Sequence, residues 1–325
     1  MAYRFTTPPE LVLAETNHPA LALEAYWQPY GKRPYLPAAA GEGLACLSEA
    51  RAWAEFCEQE HRDVLVAAGS RKTVDTARLA AALAPHAPAV VAVPSEDPGA
   101  ALAPAVFCED DASGGAGLDS RLLVSVDSPG PGLWRCAVPL PAVLVAVAVG
   151  GTWGRTGLNA LARAFDALMA AGAFALTDTR ALGAVRTVFE YLPLLAGGEP
   201  FPAGEPPLLA ASLEAGLAAR NAGAERFSLL GVIREREGGA QPGWGPARAL
   251  QDCLCPAGRG RFQTEGNPAL ARTCAVLGRA IGSLSADTPD FVAAEVFRKA
   301  LADLCRLCGL PASGPGSDPV AGPRP

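Results

Sequence analysis

Histidine is nearly missing from this 325-residue chain. His18, His61 and His86 are the three it has, and nothing after residue 86 can supply an imidazole. A histidine-liganded metal site, or a histidine general base, cannot be built from the second half alone. Charge is also sparse: 18% of residues are charged and the formal net charge is −6. A nucleic-acid binder would show a basic face, and a lipid-surface binder a run of Lys or Arg. Neither is present, so no nucleic-acid or membrane partner is expected. Aromatics make up only 6%, so Ala, Leu and Val must fill most of the core that a 50% apolar composition allows. Long apolar runs are lacking too. The most apolar stretch, 137-AVPLPAVLVAVAVGG-151, holds two prolines. It falls short of the roughly 20 residues that a membrane span needs, and reads as a buried strand. The opening MAYRFTTPPELVL shows no charged leader followed by an apolar stretch, so no secretory signal is expected and the protein is expected to be cytoplasmic.

Nine cysteines are present, an odd number without secretory context, which points to reduced, mostly buried thiols. Cys305 and Cys308 form a CxxC, but late in an amphipathic helix rather than at the start of one after a strand, where a redox pair would sit. Cys253 and Cys255 could join them as four zinc thiolates, though C-x-C followed by C-x-x-C is unusual for a zinc module.

Two grammars divide the chain. Residues 4–14 alternate enough for a strand, which Pro8 and Pro9 confine to an edge or break, and 26–43 form a Pro/Gly connector with packed rings. Residues 44–60 read as an amphipathic helix. DVLVAA (63–68) is a short buried strand; a GSRKT turn, the helix 74–84 and the strand 89–94 follow. This is the local pattern of a parallel sheet with crossover helices. Residues 95–120 are expected to be loops, and 121–127 and 142–149 two more strands. Beyond 157 helical periodicity persists through 157–172, 176–195, 207–222, 245–254, 267–284 and 290–308, and the one strand candidate is 229-LLGVIRE-235. The expected organisation is a truncated, Rossmann-like α/β domain at 1–153, an all-α domain at 154–308 and a disordered Pro/Gly/Ser tail at 309–325.

With strand, turn and helix placed, 69-GSRKTVDTAR-78 resembles the nucleotide-binding turn of the iron-containing alcohol dehydrogenase and glycerol dehydrogenase superfamily, whose form there is GGGKTLDTAK or GGGSxxDTAK. The stretch 5-FTTPPELVLAE-15 resembles that family's first edge strand, and 159-NALARAFDA-167 its DALAKWYEA or DALTHAIEA. In outline, 211-ASLEAGLAARNAG-223 and 301-LADLCRLCGLP-311 match as well. The resemblance covers most of the chain and implies a dehydroquinate synthase-like, iron alcohol dehydrogenase-like architecture. It also implies NAD(P) at the glycine turn, that is at Gly69, Ser70, Arg71, Lys72 and Asp75. There, consecutive glycines let backbone N–H groups approach a pyrophosphate. Here Ser70 and Arg71 replace two of them, so ordinary cofactor binding is expected to be lost, although Arg71 and Lys72 could still attract a phosphate. Thr73 or Ser70 is expected to cap the following helix, and Asp75 to favour its N-terminus through the helix dipole.

The family's divalent ion, held by an Asp and two or three His, acts as a Lewis acid beside the nicotinamide. At the implied positions this chain has Asn159 and Arg163, four apart on one helix face, with Ser228 and Trp244 at the remaining histidines. An amide and a guanidinium are poor ligands, so no metal is expected. Arg163 is expected to pair with Asp166 at i, i+3. The expectation is therefore a catalytically degenerate member. It would act as a non-catalytic partner or a substrate- or peptide-recognition subunit beside an active dehydrogenase homologue, in a homo- or hetero-oligomer. The Ala-, Gly-, Pro- and Arg-rich composition resembles that of high-GC actinobacteria, and a daptide-type ribosomal peptide pathway is one concrete setting. The alternative is a metal-independent NAD(P)-dependent reductase of an aldehyde or ketone with Arg163 as electrophile.

Overall fold

The computed structural model describes residues 10–14, 44–62, 64–94, 97–108, 126–130, 133–136, 138, 140–147, 153–197, 207–224, 226–236, 240–241, 243–254, 267–282 and 284–310. The 26–43 connector, residues 1–9 of the opening, 121–125, Cys255 and the tail beyond 310 lie outside the described residues.

The apolar runs of the first half become strands because they are short, rich in Val and Ala, and bounded by turn residues. β1 (Glu10–Ala14), β3 (Val64–Gly69), β4 (Ala89–Pro94) and β8 (Val143–Val147) form a parallel sheet in the order β1-β8-β4-β3. β1 is therefore an edge strand, as its flanking prolines imply. β2 (Ala45–Cys46), β5 (Ala105–Cys108), β6 (Val126–Gly130) and β7 (Leu133–Cys136) form a second sheet, β2-β5-β7-β6. Its β5–β7 and β6–β7 pairings are antiparallel. This corrects the expectation that 95–120 is all loop. Pro98–Leu102 is a 3-10 turn and β5 follows it. Pro98 starts the turn, where its missing N–H costs nothing.

α1 (Leu47–Gln59) buries Leu47, Ala50, Ala54 and Cys57 at helical spacing. α2 (Arg71–Leu83) starts three residues earlier than its periodicity suggests, so Arg71, Lys72 and Thr73 form its first turn. Ser70 holds the N-cap position without a side-chain capping bond. Asp75 lies beyond the first turn, only 2% exposed, and faces Arg71 and Arg78. It is a buried counter-ion, not a dipole partner. Arg78 is wholly buried and donates to the carbonyls of Ala103 (2.7 Å) and Val138 (3.5 Å). Burial pulls its pKa down to about 10, against the pull of Asp75.

α3 (Trp153–Met169), α4 (Ala175–Ala196), α5 (Pro207–Ala222), α6 (Arg226–Arg236), α7 (Gly245–Leu254), α8 (Pro268–Ile281) and α9 (Asp290–Leu307) build the second lobe. The 229–235 strand candidate is part of α6: Phe227, Ser228, Gly231 and Val232 are buried at helical spacing, while Leu230 faces out. α3 is central, buried along nearly its whole length, with Phe165 stacked on Phe297 and edge-on to Phe227. Among the described residues no helix is long and apolar enough to cross a membrane. The α/β domain with its parallel sheet, followed by an all-helical lobe, is the architecture expected from the sequence.

The lobes meet where the 3-10 turn lies on α5. A Cβ on Gly99 would stand 2.1 Å from the Ser212 carbonyl oxygen, and one on Gly216 would stand 2.8 Å from the Gly99 oxygen. Leu213 and Leu217 of α5 join the α/β core, and Arg220 donates to the Leu102 carbonyl at 2.9 Å. Backbone is thus packed on backbone. Gly99→Ala should destabilise the protein by about 1–3 kcal/mol, the usual cost of overpacking. A guanidinium denaturation midpoint equal to that of the parent would contradict this packing.

Candidate functional site

A pocket of about 120 Å³ opens between the lobes. Ser70, Arg71 and Lys72 line it from the α2 turn, and Asp97 from the turn after β4. Arg155, Asn159 and Arg163 line it from α3, and Glu235 from α6. Of the residues singled out in the sequence, five therefore share one cavity. Gly69, Asp75, Ser228 and Trp244 do not line it. Gly69 serves the backbone instead, with a φ of +141° that suits glycine alone. Ser228 is buried in the first turn of α6, and the Trp244 ring lies against Gly154 of α3.

Arg163 is 2% exposed, and its guanidinium forms an ion pair with Asp97, which is 7% exposed. This corrects the expected pairing with Asp166. The Asp166 carboxylate instead accepts from the Phe227 backbone N–H at 2.6 Å, at the α6 N-terminus, where a negative charge is favoured. Asp97 is held for its task. Its backbone sits at φ 41° and ψ 71°, left-handed space that a non-glycine residue seldom adopts. Ser212 Oγ donates to Asp97 Oδ1 at 2.8 Å and accepts from the Gly99 N–H at 2.8 Å. Three segments far apart in sequence converge on one carboxylate.

Asn159 is equally committed. Its Nδ2 donates to the Gly243 carbonyl at 2.8 Å, and its Oδ1 accepts from the Ala247 N–H at 3.1 Å. Glu235 Oε1 accepts from the Gly245 N–H at 2.7 Å. Together the two side chains accept from N–H groups in the first turn of α7. The backbone partners fix the amide's orientation: one is a donor and the other an acceptor. A carboxylate could satisfy Ala247 but not Gly243.

On the α/β side, Arg71 Nε donates to Asp75 at 3.3 Å and Lys72 Nζ to Glu49 at 3.0 Å. The two cations that could hold a phosphate are each engaged within their own lobe. Two of the lining residues hold a fully buried atom without a hydrogen-bond partner, Ser70 Oγ and Arg163 Nε.

The residues present do not fit a divalent ion. Asn159 has both polar atoms occupied, Arg163 brings a positive charge, and Asp97 already has its counter-ion. Among the described residues no group of three or more His, Cys, Asp and Glu comes together. The turn suits a dinucleotide pyrophosphate poorly as well, because Ser70 and Arg71 place Cβ atoms where glycines would let backbone approach. The CxxC lacks the reactive thiolate of a redox pair. Cys305 is 1% exposed, and burial pushes the Cys308 thiol up to about 11.

Asp97, Ser212, Glu235 and Arg155 are site residues that the sequence reading missed. The one available signal was Ser212, a polar residue on the small and apolar face of 208-LLAASLEAGLAA-219 that Glu214 does not share. The Arg163–Asp97 pairing spans 66 positions and leaves no local trace.

No model of a known protein family matches the sequence, and no curated protein matches it. Solved structures do. A 1,3-propanediol oxidoreductase superposes with a TM-score of 0.70 at 17% identity, over 93% of this chain and 80% of that one. The alcohol dehydrogenase from Oenococcus oeni gives a TM-score of 0.70 at 18% identity, over 94% and 81%. The iron-containing alcohol dehydrogenase from Thermococcus thioreducens gives 0.66 at 15%, over 95% and 86%. At these identities the likeness establishes a shared fold, the one the motifs of the sequence imply.

Removing one partner of a buried pair strands the other. Arg163→Met should cost about 3–5 kcal/mol, and combining it with Asp97→Asn should recover part of that loss. Strictly additive effects in a double-mutant cycle would show the pair to be incidental. Asn159→Asp should cost about 1–3 kcal/mol, through an unpaired Gly243 carbonyl facing a carboxylate oxygen. Unchanged thermal stability in that variant would remove the capping role.

Proposed function

We propose that this chain is a metal-free recognition subunit built on a dehydrogenase frame, serving beside a catalytic partner rather than turning over substrate itself. The observation that carries this is the Arg163–Asp97–Ser212 cluster. At the place where the family resemblance puts a Lewis acid, the pocket holds a cation whose charge is already answered by a buried carboxylate. Such a group can orient a bound polar ligand through hydrogen bonds. It cannot lower the pKa of a bound alcohol or polarise a carbonyl as a divalent ion does. The neighbouring Asn159 supports the same reading, since its amide is built into the α7 cap. The pocket between the lobes is then the recognition site, and the partner an active homologue or a peptide-processing dehydrogenase of the same pathway.

A second reading has one observation in its favour. The unpartnered Nε–H of Arg163 could donate to a substrate carbonyl in a metal-independent reductase. The engagement of Arg71 and Lys72 with Asp75 and Glu49 counts against it, because that reading needs NAD(P) at the turn.

Protein purified without chelator should carry iron and zinc far below one equivalent. It should leave NADPH fluorescence unchanged and should not oxidise NADPH with aldehydes. Stoichiometric metal, or saturable NADPH quenching with turnover, would replace the recognition role by the reductase.

A further inference from the structure

Cysteines 57, 274 and 305 are sealed in the two cores, at most 1% exposed. Cys46 has different surroundings. It is 7% exposed, and its Sγ lies 3.2 Å from the hydroxyl of Ser48, an exposed residue. It closes β2, a two-residue strand at the end of the order β2-β5-β7-β6 among the described residues. A short strand paired on one side opens more easily than the strands of a core, so water and small solutes reach this thiol by a local opening.

A second cysteine stands opposite it. β2 and β5 run parallel, with Ala45 opposite Phe107 and Cys46 opposite Cys108. Register partners on neighbouring strands lie about 4.8 Å apart, inside the roughly 4.4–6.8 Å that a disulfide spans between Cα atoms. Successive positions of a strand alternate between the faces of its sheet. Ala45 and Ala105 belong to the core of the α/β lobe, so the positions of Cys46 and Cys108 share the other face. The same stretch of chain builds part of the pocket. Leu44, two residues before Cys46, lines it, and Cys46 itself is the N-cap residue of α1. Glu49, in the first turn of α1, accepts from Lys72 Nζ at 3.0 Å, and Lys72 lines the pocket as well. A covalent tie at Cys46 therefore acts on Leu44 through the chain and on Lys72 through Glu49.

We infer that Cys46 and Cys108 are a reversible thiol–disulfide pair that ties β2 to β5 and stiffens the pocket wall at Leu44 and Lys72. The oxidant is a small-molecule disulfide of the glutathione class. The Cys46 thiolate attacks one of its sulfurs, and one glutathione leaves as the thiolate. The Cys108 thiolate then attacks the Cys46 sulfur of the mixed disulfide, and the second glutathione leaves. Two protein thiols lose two protons and two electrons, and one external disulfide becomes two thiols. An external dithiol runs the exchange backwards. The pair acts on the pocket wall whether the pocket recognises a ligand or turns one over, so it does not depend on the recognition role.

The test incubates the full-length, reduced protein with oxidised glutathione and then blocks the remaining thiols with N-ethylmaleimide. Peptide mapping by mass spectrometry, without reduction, should give one dominant crosslink, Cys46 to Cys108. Dithiothreitol should restore both thiols. Cys108→Ser should leave glutathione on Cys46, and Cys46→Ser should abolish the crosslink. In the oxidised parent, amide hydrogen exchange over residues 44–49 should slow by about tenfold, because the tie suppresses local opening. No thiol lost, a crosslink between other cysteines alone, or glutathione stranded on Cys46 in the parent each overturns the inference. A mapped Cys46–Cys108 bond with unchanged exchange over 44–49 overturns the effect on the pocket wall.

Discussion

One buried charge pair governs how the two lobes of this protein are joined. Arg163 arises from the central helix of the second lobe, and Asp97 from a turn of the first. Neither tolerates isolation at that depth, since an unpaired charge out of water costs several kcal/mol. The pair therefore fixes the distance between α3 and the turn after β4. Gly99 and Gly216 then allow the turn to rest directly on α5, which brings Ser212 to the same carboxylate. Asp97 accepts left-handed backbone geometry to take part. Strain of that kind persists only where the surroundings over-determine it, and here a salt link, a hydroxyl and a close backbone contact all do so.

The residues at the positions where the family resemblance implies metal ligands are firmly held by partners of their own. A site that drifts after losing its role would be expected to leave half-satisfied polar groups. Asn159 instead bridges two backbone partners of opposite character, so the amide is the residue type the position demands. Arg163 has a dedicated counter-ion from the other lobe. Each residue type suits the partners it has. Ser70 Oγ and Arg163 Nε are among the buried atoms left without a hydrogen-bond partner.

Much of the fold was legible because period and punctuation agreed. The β3–α2–β4 unit follows from two short Val/Ala runs around a Gly-Ser turn, and the helices of the second lobe from apolar spacing broken by Gly and Pro. The errors have physical causes. α6 was open to misreading because LLGVI looks like a continuous apolar run; only packing shows that Leu230 faces out while Gly231 and Val232 face in. β5 lay hidden in an Ala/Pro/Gly segment, because its pairing with β7 is a long-range event. The site was half legible for the same reason. Arg163 and Asn159 are four apart and advertise a shared face, whereas Asp97, Ser212 and Glu235 join them only through the fold. A local rule, the i, i+3 ion pair, pointed Arg163 to Asp166. Tertiary context overrode it because the α6 N-terminus offers that carboxylate a better partner, and a buried carboxylate offers Arg163 a better one.

A guanidinium and a divalent ion suit a cleft to different chemistry. A divalent ion concentrates charge on a point and accepts lone pairs from substrate and solvent alike. A guanidinium spreads one charge over a plane, gives no open coordination position and cannot be deprotonated at any physiological pH. Once half neutralised by a carboxylate, its remaining asset is directional: one N–H held rigidly in a dry wall. Rigid, oriented donors discriminate well between ligands, because a ligand that lacks the matching acceptor leaves them unpaired. They accelerate bond making only where charge develops beside them and a reactant is present to carry it. With a turn poorly suited to a pyrophosphate, and no group of three metal-binding side chains among the described residues, the proposed recognition role asks of this cleft only the discriminating part of an active site's work.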